Sequence, residues 1–410
     1  MKIRKYINFD KISSWGWILP IFLVSLIFIL DPRYFYSSPL RSDDWNWLIE
    51  PQIFNPLRLF DPLDRRPLMS FLFALVTPLF KLNIHWYYVL NWLLLFATGV
   101  IFYKIVEKAF DNYAWFALPA SLLFLIYPVN YARTWLILSP ITLALLLALC
   151  SILLLVSYAK SRKILHLITA NLSFLCSLGI YESSFGMVIL AAVLLCLFPH
   201  ETLKKRRFWI GTTLLTGIAF LVWRLFIQPG FLSVQDEYLS NVNLSLITLL
   251  SRFVQGGFIF LFNWIGPFLF RFEDKKYFVF VGIVAVIVLV FLVILPKIKK
   301  SAKSNTDFPL DERKQQIKSL LKMTFAGLLF WGAGYIPVIS IYQPTFYGDS
   351  SRVNYSSIPG AALALTAGLA CLIMLIARKR NTVRRILVIA LIPLVILGMA
   401  FQVVSQNERV

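Results

Sequence analysis

The sequence predicts an all-α integral membrane protein with about eleven transmembrane helices. Of its 410 residues, 59% are hydrophobic and only 15% are charged, whereas an average soluble domain is about a quarter charged. Apolar runs of roughly 17–25 residues, the length that a helix needs to cross the hydrocarbon core, recur along the chain. Because a spanning backbone must satisfy its own hydrogen bonds, these runs are predicted to be helices; a barrel would show short alternating segments.

The predicted crossings follow the apolar runs in order. The chain shows no soluble domain, low-complexity tract or convincing repeat, so residues 1–410 are expected to form a single membrane domain. The eleven predicted crossings are 15–30, 84–106, 114–129, 135–158, 164–180, 183–198, 208–227, 277–295, 320–341, 358–377 and 386–403.

Two further apolar segments do not fit a simple crossing. The segment 67–80 begins with Pro67, a favourable first helical residue, and is too short to span, so we expect an interfacial helix. The segment 244–270 is interrupted by polar residues and by Gly256-Gly257, which predicts a re-entrant hairpin hinged at the two glycines. A single crossing there would raise the count to twelve and would place the following polar loop outside.

The strong positive charge suggests a nucleic-acid partner, but the positions of the charges argue against one. The formal net charge is +20 at pH 7. If the N-terminus lies in the cytoplasm, the basic clusters 160–163, 204–207, 297–303 and 378–385 all fall on the cytoplasmic side, as the positive-inside rule expects. We therefore expect that the protein does not bind nucleic acid. We expect it to contact membrane lipids, to lie in a bacterial inner (plasma) membrane, and to have a cytoplasmic loop over 296–319.

Cysteine and histidine indicate neither disulfides nor a metal centre. The four cysteines lie within apolar runs and form no CxxC motif. The three histidines are scattered along the chain, so a histidine-based metal site is not expected.

Ionisable residues at membrane depth are costly, so each is a functional candidate. In this topology, carboxylates and arginines from distant parts of the chain share the extracytoplasmic level, and the first loop, 31–83, carries much of this charge. Arginine binds phosphate bidentately, and a carboxylate among arginines stays ionised and can accept a proton. The candidate residues of an acid/base site for an anionic, lipid-borne substrate are Asp43, Asp44, Arg65, Arg66, Arg133, Glu182, Tyr347 and Arg352.

Each candidate also has a purely structural interpretation. The acidic pair could cap a short helix that starts near Trp45, since aspartate is a good N-cap residue. The arginines could anchor helix ends by snorkelling to lipid headgroups. Glu182 lies between two apolar runs with almost no loop and could be a buried hydrogen-bonding residue. Arg224 and Arg252 are expected to be structural.

The order of these features resembles the GT-C superfamily of membrane glycosyltransferases, most closely its protein O-mannosyltransferase and lipid A aminoarabinose transferase branch. Ser42-Asp43-Asp44-Trp45 is similar to the acidic pair that follows the first helix in that branch. Arg65-Arg66-Pro67-Leu68 stands where its proline motif opens a short helix. Ala132-Arg133-Thr134 is similar to the arginine that opens a later crossing, and Arg352 lies in a late extracytoplasmic loop.

The resemblance implies an inverting transfer of a sugar from a polyprenyl-phosphate-linked donor to an acceptor hydroxyl at the extracytoplasmic face. Asp43 would act as the general base, and Asp44 would orient the acceptor. The acceptor could be a glycan, a lipid or a protein. No cofactor is expected, and a divalent cation stays an open alternative. The arginines that would bind the lipid phosphate are Arg65, Arg66, Arg133 and Arg352.

Two other functions fit parts of the pattern. A transporter or flippase of lipid-linked sugar also needs cations at the level of the lipid phosphate, and a non-catalytic membrane assembly factor could share the fold. Transporters often show inverted repeats and charged residues near the midplane. Here the charges gather on one face, which favours the enzyme.

Overall fold

The chain folds as a bundle of α-helices. A computed structural model describes residues 16–29, 66–110, 116–129, 138–196, 203–228, 245–264, 310–339, 342–345, 354–377 and 380–407. Within these ranges the backbone forms helices and turns and no strand. The prediction of an all-α protein is therefore confirmed for the part of the chain that the structure describes.

Twelve α-helices lie in the described ranges, and four short turns of other helix types adjoin them, the first being the 3₁₀ turn Leu26–Phe28 after α1. The 3₁₀ turn Glu182–Ser184 joins α6 to α7, and the π-helical turn Trp223–Ile227 extends α8. The helices are α1 Ile18–Ser25, α2 Pro67–Phe80, α3 Ile84–Ala109, α4 Ala117–Ile126, α5 Ser139–Ser161, α6 Ile164–Ile180, α7 Phe185–Cys196, α8 Leu203–Val222, α9 Leu246–Phe262, α10 Leu310–Ile339, α11 Ile358–Ile376 and α12 Arg380–Asn407. A 3₁₀ turn over 354–357 precedes α11.

Within the part of the chain that the structure describes, four helical segments are long and apolar enough to cross a membrane: Ile84–Ala109, Ser139–Ser161, Arg313–Ile339 and Asn354–Ile376. The first of them, with 26 residues, is about 39 Å long at 1.5 Å per residue. This length exceeds the hydrocarbon core, which is about 30 Å thick. These four segments support the prediction of a membrane protein.

The outer faces of several shorter helices are apolar and exposed. On α6, Leu165 is 65% exposed, and on α8, Leu215 is 66% exposed. On α9, Ile247 is 80% exposed and Leu261 71%. Contiguous apolar surface of this kind is unfavourable in water and favourable against lipid. The exposed faces therefore agree with a bundle embedded in a bilayer.

Helix α4 lies at the centre of the bundle. All ten of its residues are buried, and it packs against α3, α11, α12 and α1. At about 15 Å it is too short to span a bilayer by itself. Its sequence, apolar except for Ser121, is explained by contact with protein on every side, so the predicted crossing over 114–129 corresponds to a shorter buried helix.

Small residues bring α10 and α11 into close contact. A Cβ atom on Gly360 would lie 2.1 Å from the Trp331 backbone nitrogen, and one on Gly327 would lie 2.5 Å from the Ala364 nitrogen. Neither position accepts a larger residue without backbone movement. Close approach through small residues is the usual way in which helices associate within a membrane.

Helix α1 runs antiparallel to α3. At its start, the Trp17 ring stacks on Tyr103 with ring centroids 4.0 Å apart. At its end, the Trp92 indole N–H donates to Ser25 Oγ over 3.0 Å. The start of α1 therefore lies beside the end of α3, as expected for two successive crossings in opposite directions.

The boundaries of two predicted segments match the structure, and those of a third do not. Helices α2 and α6 have the predicted bounds, 67–80 and 164–180. Helix α10 begins at Leu310, ten residues before the predicted crossing over 320–341, so the last part of the predicted loop is helical. Arg313 explains this extension, because its guanidinium donates to the Met374 and Leu375 carbonyls over 2.7–3.1 Å.

The predicted hinge at Gly256-Gly257 is wrong. Helix α9 continues through both glycines without interruption. Their role is close packing: a Cβ on Gly256 would lie 2.9 Å from Tyr335 Cζ, and one on Gly257 would lie 3.6 Å from Trp331 Cη2. The glycines therefore let α9 lie against two aromatic rings of α10. The predicted crossing over 277–295 lies outside the described residues.

Candidate functional site

An ion pair joins two of the candidate residues that lie 116 positions apart in sequence. Arg66 Nη2 lies 3.3 Å from Glu182 Oε1, and Arg66 Nε lies 3.4 Å from Glu182 Oε2. The two side chains are 18% and 27% exposed. Both nitrogens of one edge of the guanidinium thus face both carboxylate oxygens, which is the bidentate geometry that fixes orientation as well as distance.

The neighbouring residues hold this pair in place. Arg66 immediately precedes α2, and its guanidinium carbon lies 4.3 Å from the centre of the Tyr181 ring. Leu68, in the first turn of α2, packs so closely on α6 that a Cβ on Gly179 would lie 2.8 Å from Leu68 Cδ1. The start of α2 is therefore fixed against the end of α6, and Arg66 is fixed between Tyr181 and Glu182.

Glu182 is ionised at neutral pH. Burial of the side chain disfavours the charged carboxylate, but the charge and hydrogen bonds of Arg66 outweigh burial and lower the pKa of Glu182 below its usual value. The more distant charge of Arg224 acts in the same direction. Glu182 lies in the turn between α6 and α7, so its charge is placed at a helix end.

The turn that carries Glu182 also contacts the turn before α11. Ser356 Oγ donates to Ser183 Oγ over 2.5 Å, and both residues are buried. Nearby, a Cβ on Gly186 would lie 2.2 Å from the Ala333 carbonyl oxygen. Pro337 has no N–H, so the Ala333 carbonyl lacks its usual intrahelical donor. The start of α7, the start of α11 and the last turns of α10 therefore meet.

A buried polar network continues from this junction. The Tyr335 hydroxyl donates to Asn354 Oδ1 over 2.6 Å, and Asn354 Nδ2 donates to the Val129 carbonyl over 2.8 Å. The Tyr355 hydroxyl donates to Thr142 Oγ1 over 3.2 Å. These contacts connect the end of α4 and the start of α5 to the turns that carry Glu182 and Ser356. We call the part of the bundle where these helix ends meet the polar end.

The opposite end of the bundle carries mainly cations. Lys104 lies 2.7 Å from Glu107, and Lys108 Nζ donates to Ser157 Oγ over 3.1 Å. The Arg162 guanidinium lies 5.7 Å from the Trp209 ring centre. These residues belong to the end of α3, the loop between α5 and α6, and the start of α8, and we call this level the basic end.

Two arginines that were expected to be structural make contacts near helix ends. Arg252 Nη1 donates to the Ile339 carbonyl over 2.6 Å, which satisfies a carbonyl at the end of α10. Arg224 donates to Gln228, four residues along the chain. Both side chains therefore stabilise helix ends at the polar end of the bundle.

The structure brings Arg66 and Glu182 together in an ion pair. The other candidate residues, Asp43, Asp44, Arg65, Arg133, Tyr347 and Arg352, lie outside the described residues.

Sequence reasoning missed four buried serines at the junction. Ser183 and Ser184 follow Glu182, and Ser356 and Ser357 follow Tyr355. The signal was present as two similar Ser-Ser pairs, each placed directly before an apolar helix. Nothing in the local sequence indicates that two pairs 173 residues apart form a hydrogen bond.

An apolar cavity of about 80 Å³ lies below the junction, between α3, α5, α7, α10 and α11. Its wall includes Met187, Phe330 and Pro359, and its lining is almost wholly apolar. The cavity can hold a hydrocarbon group and offers no acid or base. Among the residues that the structure describes, no group of three or more His, Cys, Asp or Glu side chains could hold a metal ion.

No protein-family model matches the chain, and no curated protein matches it either.

Proposed function

We propose that this protein is a membrane glycosyltransferase that transfers a sugar from a polyprenyl-phosphate-linked donor to an acceptor hydroxyl, with inversion at the anomeric carbon. The observation that carries the proposal is the Arg66–Glu182 ion pair at the polar end of the bundle. It joins the first loop, where the acidic pair lies, to the connection between α6 and α7. An acid/base site for an anionic substrate needs charged side chains at the same depth in the membrane. The ion pair brings together two such side chains from distant parts of the chain.

Arg66 is the phosphate-binding candidate whose contacts the structure describes. Its contacts with Glu182 and Tyr181 fix the guanidinium before any substrate arrives. A preorganised cation stabilises the negative charge that develops on a departing phosphate without further reorganisation. Glu182 would act as the positioning residue for Arg66, since its carboxylate is already paired.

The chemical step assigned to the site is a single displacement. The acceptor oxygen attacks the anomeric carbon and forms the new glycosidic bond, while the bond between that carbon and the phosphate oxygen breaks. Polyprenyl phosphate leaves with the electron pair, and the acceptor proton passes to Asp43. Asp44 orients the acceptor, and Arg65, Arg133, Arg352 and Tyr347 complete the phosphate-binding surface.

The proposed topology has eleven crossings with the N-terminus in the cytoplasm. The basic end of the bundle then faces the cytoplasm, in agreement with the positive-inside rule, and the polar end faces the outside of a bacterial inner membrane. Helix α9 contacts Trp331, Tyr335 and Ile339, in the last turns of α10. We infer that α9 enters from the outside, and we propose, as for the segment 244–270 as a whole, that it does not cross the membrane.

The position of the polar contacts favours an enzyme over a transporter of lipid-linked sugar. The ion pair, the serine junction and the asparagine network lie at helix ends. A transporter binds its substrate near the midplane, between discontinuous helices. In the described part of the bundle, the apolar cavity occupies the region below the polar end.

Transfer from a radiolabelled donor tests the proposal. Membranes that contain the wild-type chain would be supplied with a panel of polyprenyl-phosphate sugars, and transfer to endogenous glycan, lipid and protein fractions would be counted. Asp43→Asn should lower transfer about 10²–10⁴-fold, the usual worth of general-base catalysis, and Asp44→Asn should also lower it. Normal transfer by both folded variants would contradict the assignment.

A matched control is Asp311→Asn, at the start of α10 and at the basic end of the bundle. This variant should transfer at the wild-type rate. Equal losses in all three variants would show that the acidic pair has no special role.

A further inference from the structure

The apolar cavity below the polar end is long and narrow. Along α3 its wall runs from Phe102 to Ala109, a distance of about 10 Å at 1.5 Å per residue. A volume of about 80 Å³ spread over that length fits one straight hydrocarbon chain better than a ring system. Every residue of the wall is apolar, so the cavity offers a chain nothing but dispersion contacts.

The cavity is closed towards the polar end and more open towards the basic end. Near the polar end, the wall residues Met187 and Pro359 are buried. At the ends of α3 and α7, the wall residues Ala109, Phe110 and Leu194 are only half-buried. We infer that a ligand enters the cavity at the basic end.

Two lysines flank this entrance, and both are exposed. Lys108 directly precedes the wall residue Ala109, and its ammonium group donates to Ser157 Oγ over 3.1 Å. Lys322 lies four residues before the wall residue Ala326 on α10. Residues four apart share one face of a helix, so Lys322 lies one turn nearer the basic end than the wall.

Neither lysine forms an ion pair within the part of the chain that the structure describes. Glu107, which precedes Lys108, pairs instead with Lys104 over 2.7 Å and accepts a hydrogen bond from the Tyr103 hydroxyl over 3.2 Å. Two ammonium groups therefore leave positive charge at the mouth of an apolar cavity. An anion that carries a hydrocarbon chain complements both features.

Filling the cavity is favourable in a bilayer, although the hydrophobic effect contributes little there. Lipid chains are as apolar as leucine side chains, so moving a chain from the bilayer into the protein gains no hydrophobic free energy. An empty cavity, however, leaves the atoms of its wall without dispersion contacts on one side, and an apolar cavity stays dry. A chain that fills the cavity restores those contacts, and lysines near the membrane surface select an anionic headgroup.

We propose that this cavity binds one acyl chain of an anionic phospholipid whose phosphate group lies against Lys108 and Lys322. The proposed topology places the basic end in the cytoplasm, so the lipid comes from the cytoplasmic leaflet. The proposed sugar transfer takes place at the opposite end of the bundle, and the lipid site does not depend on it.

Lipid titration of the purified full-length protein in detergent tests the site. The probes are dioleoyl phosphatidylglycerol, dioleoyl phosphatidylcholine, and glycerophosphoglycerol, which is the anionic headgroup without chains. Bound lipid is counted by native mass spectrometry. Phosphatidylglycerol should bind about tenfold more tightly than phosphatidylcholine or better, and glycerophosphoglycerol should not bind. Equal binding of the two dioleoyl lipids, or binding of the headgroup alone, would overturn the proposal.

Lys108→Gln and Lys322→Gln remove the two charges at the entrance. Each variant should bind phosphatidylglycerol about fivefold more weakly, the usual contribution of one lysine near an anionic lipid, and should bind phosphatidylcholine as the wild type does. The matched control is Lys163→Gln, because Lys163 is an exposed lysine of the basic end that adjoins no wall residue. An equal loss in the control would show general attraction by the basic end and would overturn the site.

Two further variants narrow the cavity itself. Ala109→Leu narrows the entrance, and Ala191→Val narrows the interior, where Ala191 is 2% exposed. Both should bind phosphatidylglycerol about tenfold more weakly or worse, since the volume for the chain is lost. Lipid-free Ala191→Val should unfold at the same temperature as the wild type or higher, because filling a cavity is stabilising. The control Ala219→Leu, on the exposed face of α8, should bind as the wild type does.

Three results with these variants would overturn the proposal. Normal binding of phosphatidylglycerol by Ala109→Leu and Ala191→Val would show that the acyl chain lies elsewhere. Unfolding of lipid-free Ala191→Val would show that the wall has no free space. Tighter binding of a short-chain polyprenyl phosphate than of phosphatidylglycerol, lost in the same variants, would assign the cavity to the sugar donor and not to a phospholipid.

Discussion

The Glu182 carboxylate lies 3.3 Å from Arg66 Nη2, and this contact ties the start of α2 to the turn between α6 and α7. Tyr181 lies on the guanidinium from one side. The pair thus connects the first loop to the centre of the bundle. This connection places Arg66, at the end of the first loop, at the polar end of the bundle.

Substituting Glu182 tests the strength of the ion pair. Glu182→Gln should lower the free energy of unfolding by about 1–2 kcal/mol at pH 7, since the bonds involve charged groups but are partly exposed. The pKa of Glu182 is lowered in the folded protein. Its stabilisation is therefore present above the carboxyl's unfolded pKa, about 4.3, and is lost as the pH falls through the folded pKa.

Denaturant unfolding in detergent between pH 7 and the acid limit of the native state measures this effect. The matched control is Glu107→Gln, which breaks the more exposed pair with Lys104 at the basic end and should cost about 0.5 kcal/mol or less. A stability difference between wild type and Glu182→Gln that grows towards low pH would show that the sign of the pKa shift is wrong.

Substituting Asn354 should lower the unfolding temperature more than substituting most other polar residues. Asn354→Ala removes the acceptor of the Tyr335 hydroxyl and the donor to the Val129 carbonyl. Each buried group left without a partner costs about 1–3 kcal/mol, so the protein should unfold at a clearly lower temperature.

Thermal unfolding followed by circular dichroism measures the loss. Asn171→Ala is the comparison, because Asn171 is only partly buried and donates within its own helix to the Leu167 carbonyl. The network interpretation fails if the two alanine variants unfold at the same temperature.

Two glycine positions should respond in opposite directions. Gly360→Ala would place a Cβ 2.1 Å from the Trp331 backbone nitrogen, so α10 and α11 must separate, at a cost of about 1–3 kcal/mol or more. Gly211→Ala, in α8, meets nothing within 4 Å and should stabilise the helix by up to about 1 kcal/mol. Unfolding midpoints in denaturant give both values; equal shifts would mean that the close contact is absent.

Reporter fusions test the proposed topology. An alkaline phosphatase fusion at Lys275 should be active, since this residue is placed outside, and one at Lys300 should be inactive, since it is placed in the cytoplasm. A fluorescent-protein fusion at each position should give the reverse pattern. An active phosphatase at Lys300 would mean that α9 and its continuation cross the membrane, which gives twelve crossings.

Local sequence signals predicted some elements well. Pro67 marks the start of α2, and the charged residues before Ile164 mark the start of α6, so both helices have their predicted bounds. Hydropathy could not distinguish a helix that faces lipid from one that is surrounded by protein, and α4 is of the second kind. Gly256 and Gly257 interrupt an apolar pattern as a hinge would, but they serve the packing of Tyr335 and Trp331.

The site was predictable only in part. Charge at membrane depth singled out Arg66 and Glu182 before any contact between them was known. The serine junction could not be found in this way, since serine at a helix start is a common capping residue. Its significance depends on the contact between Ser183 and Ser356, which only the tertiary structure provides.

The most direct test of the account is a double-mutant cycle on sugar transfer with Arg66→Gln, Glu182→Gln and the double variant. If Glu182 positions Arg66 for the departing phosphate, each single change should lower transfer about tenfold or more, and the double variant should be no worse than Arg66→Gln alone, because residues that act as a unit are not additive. Wild-type transfer by the folded single variants, or losses that multiply in the double variant, would contradict the account.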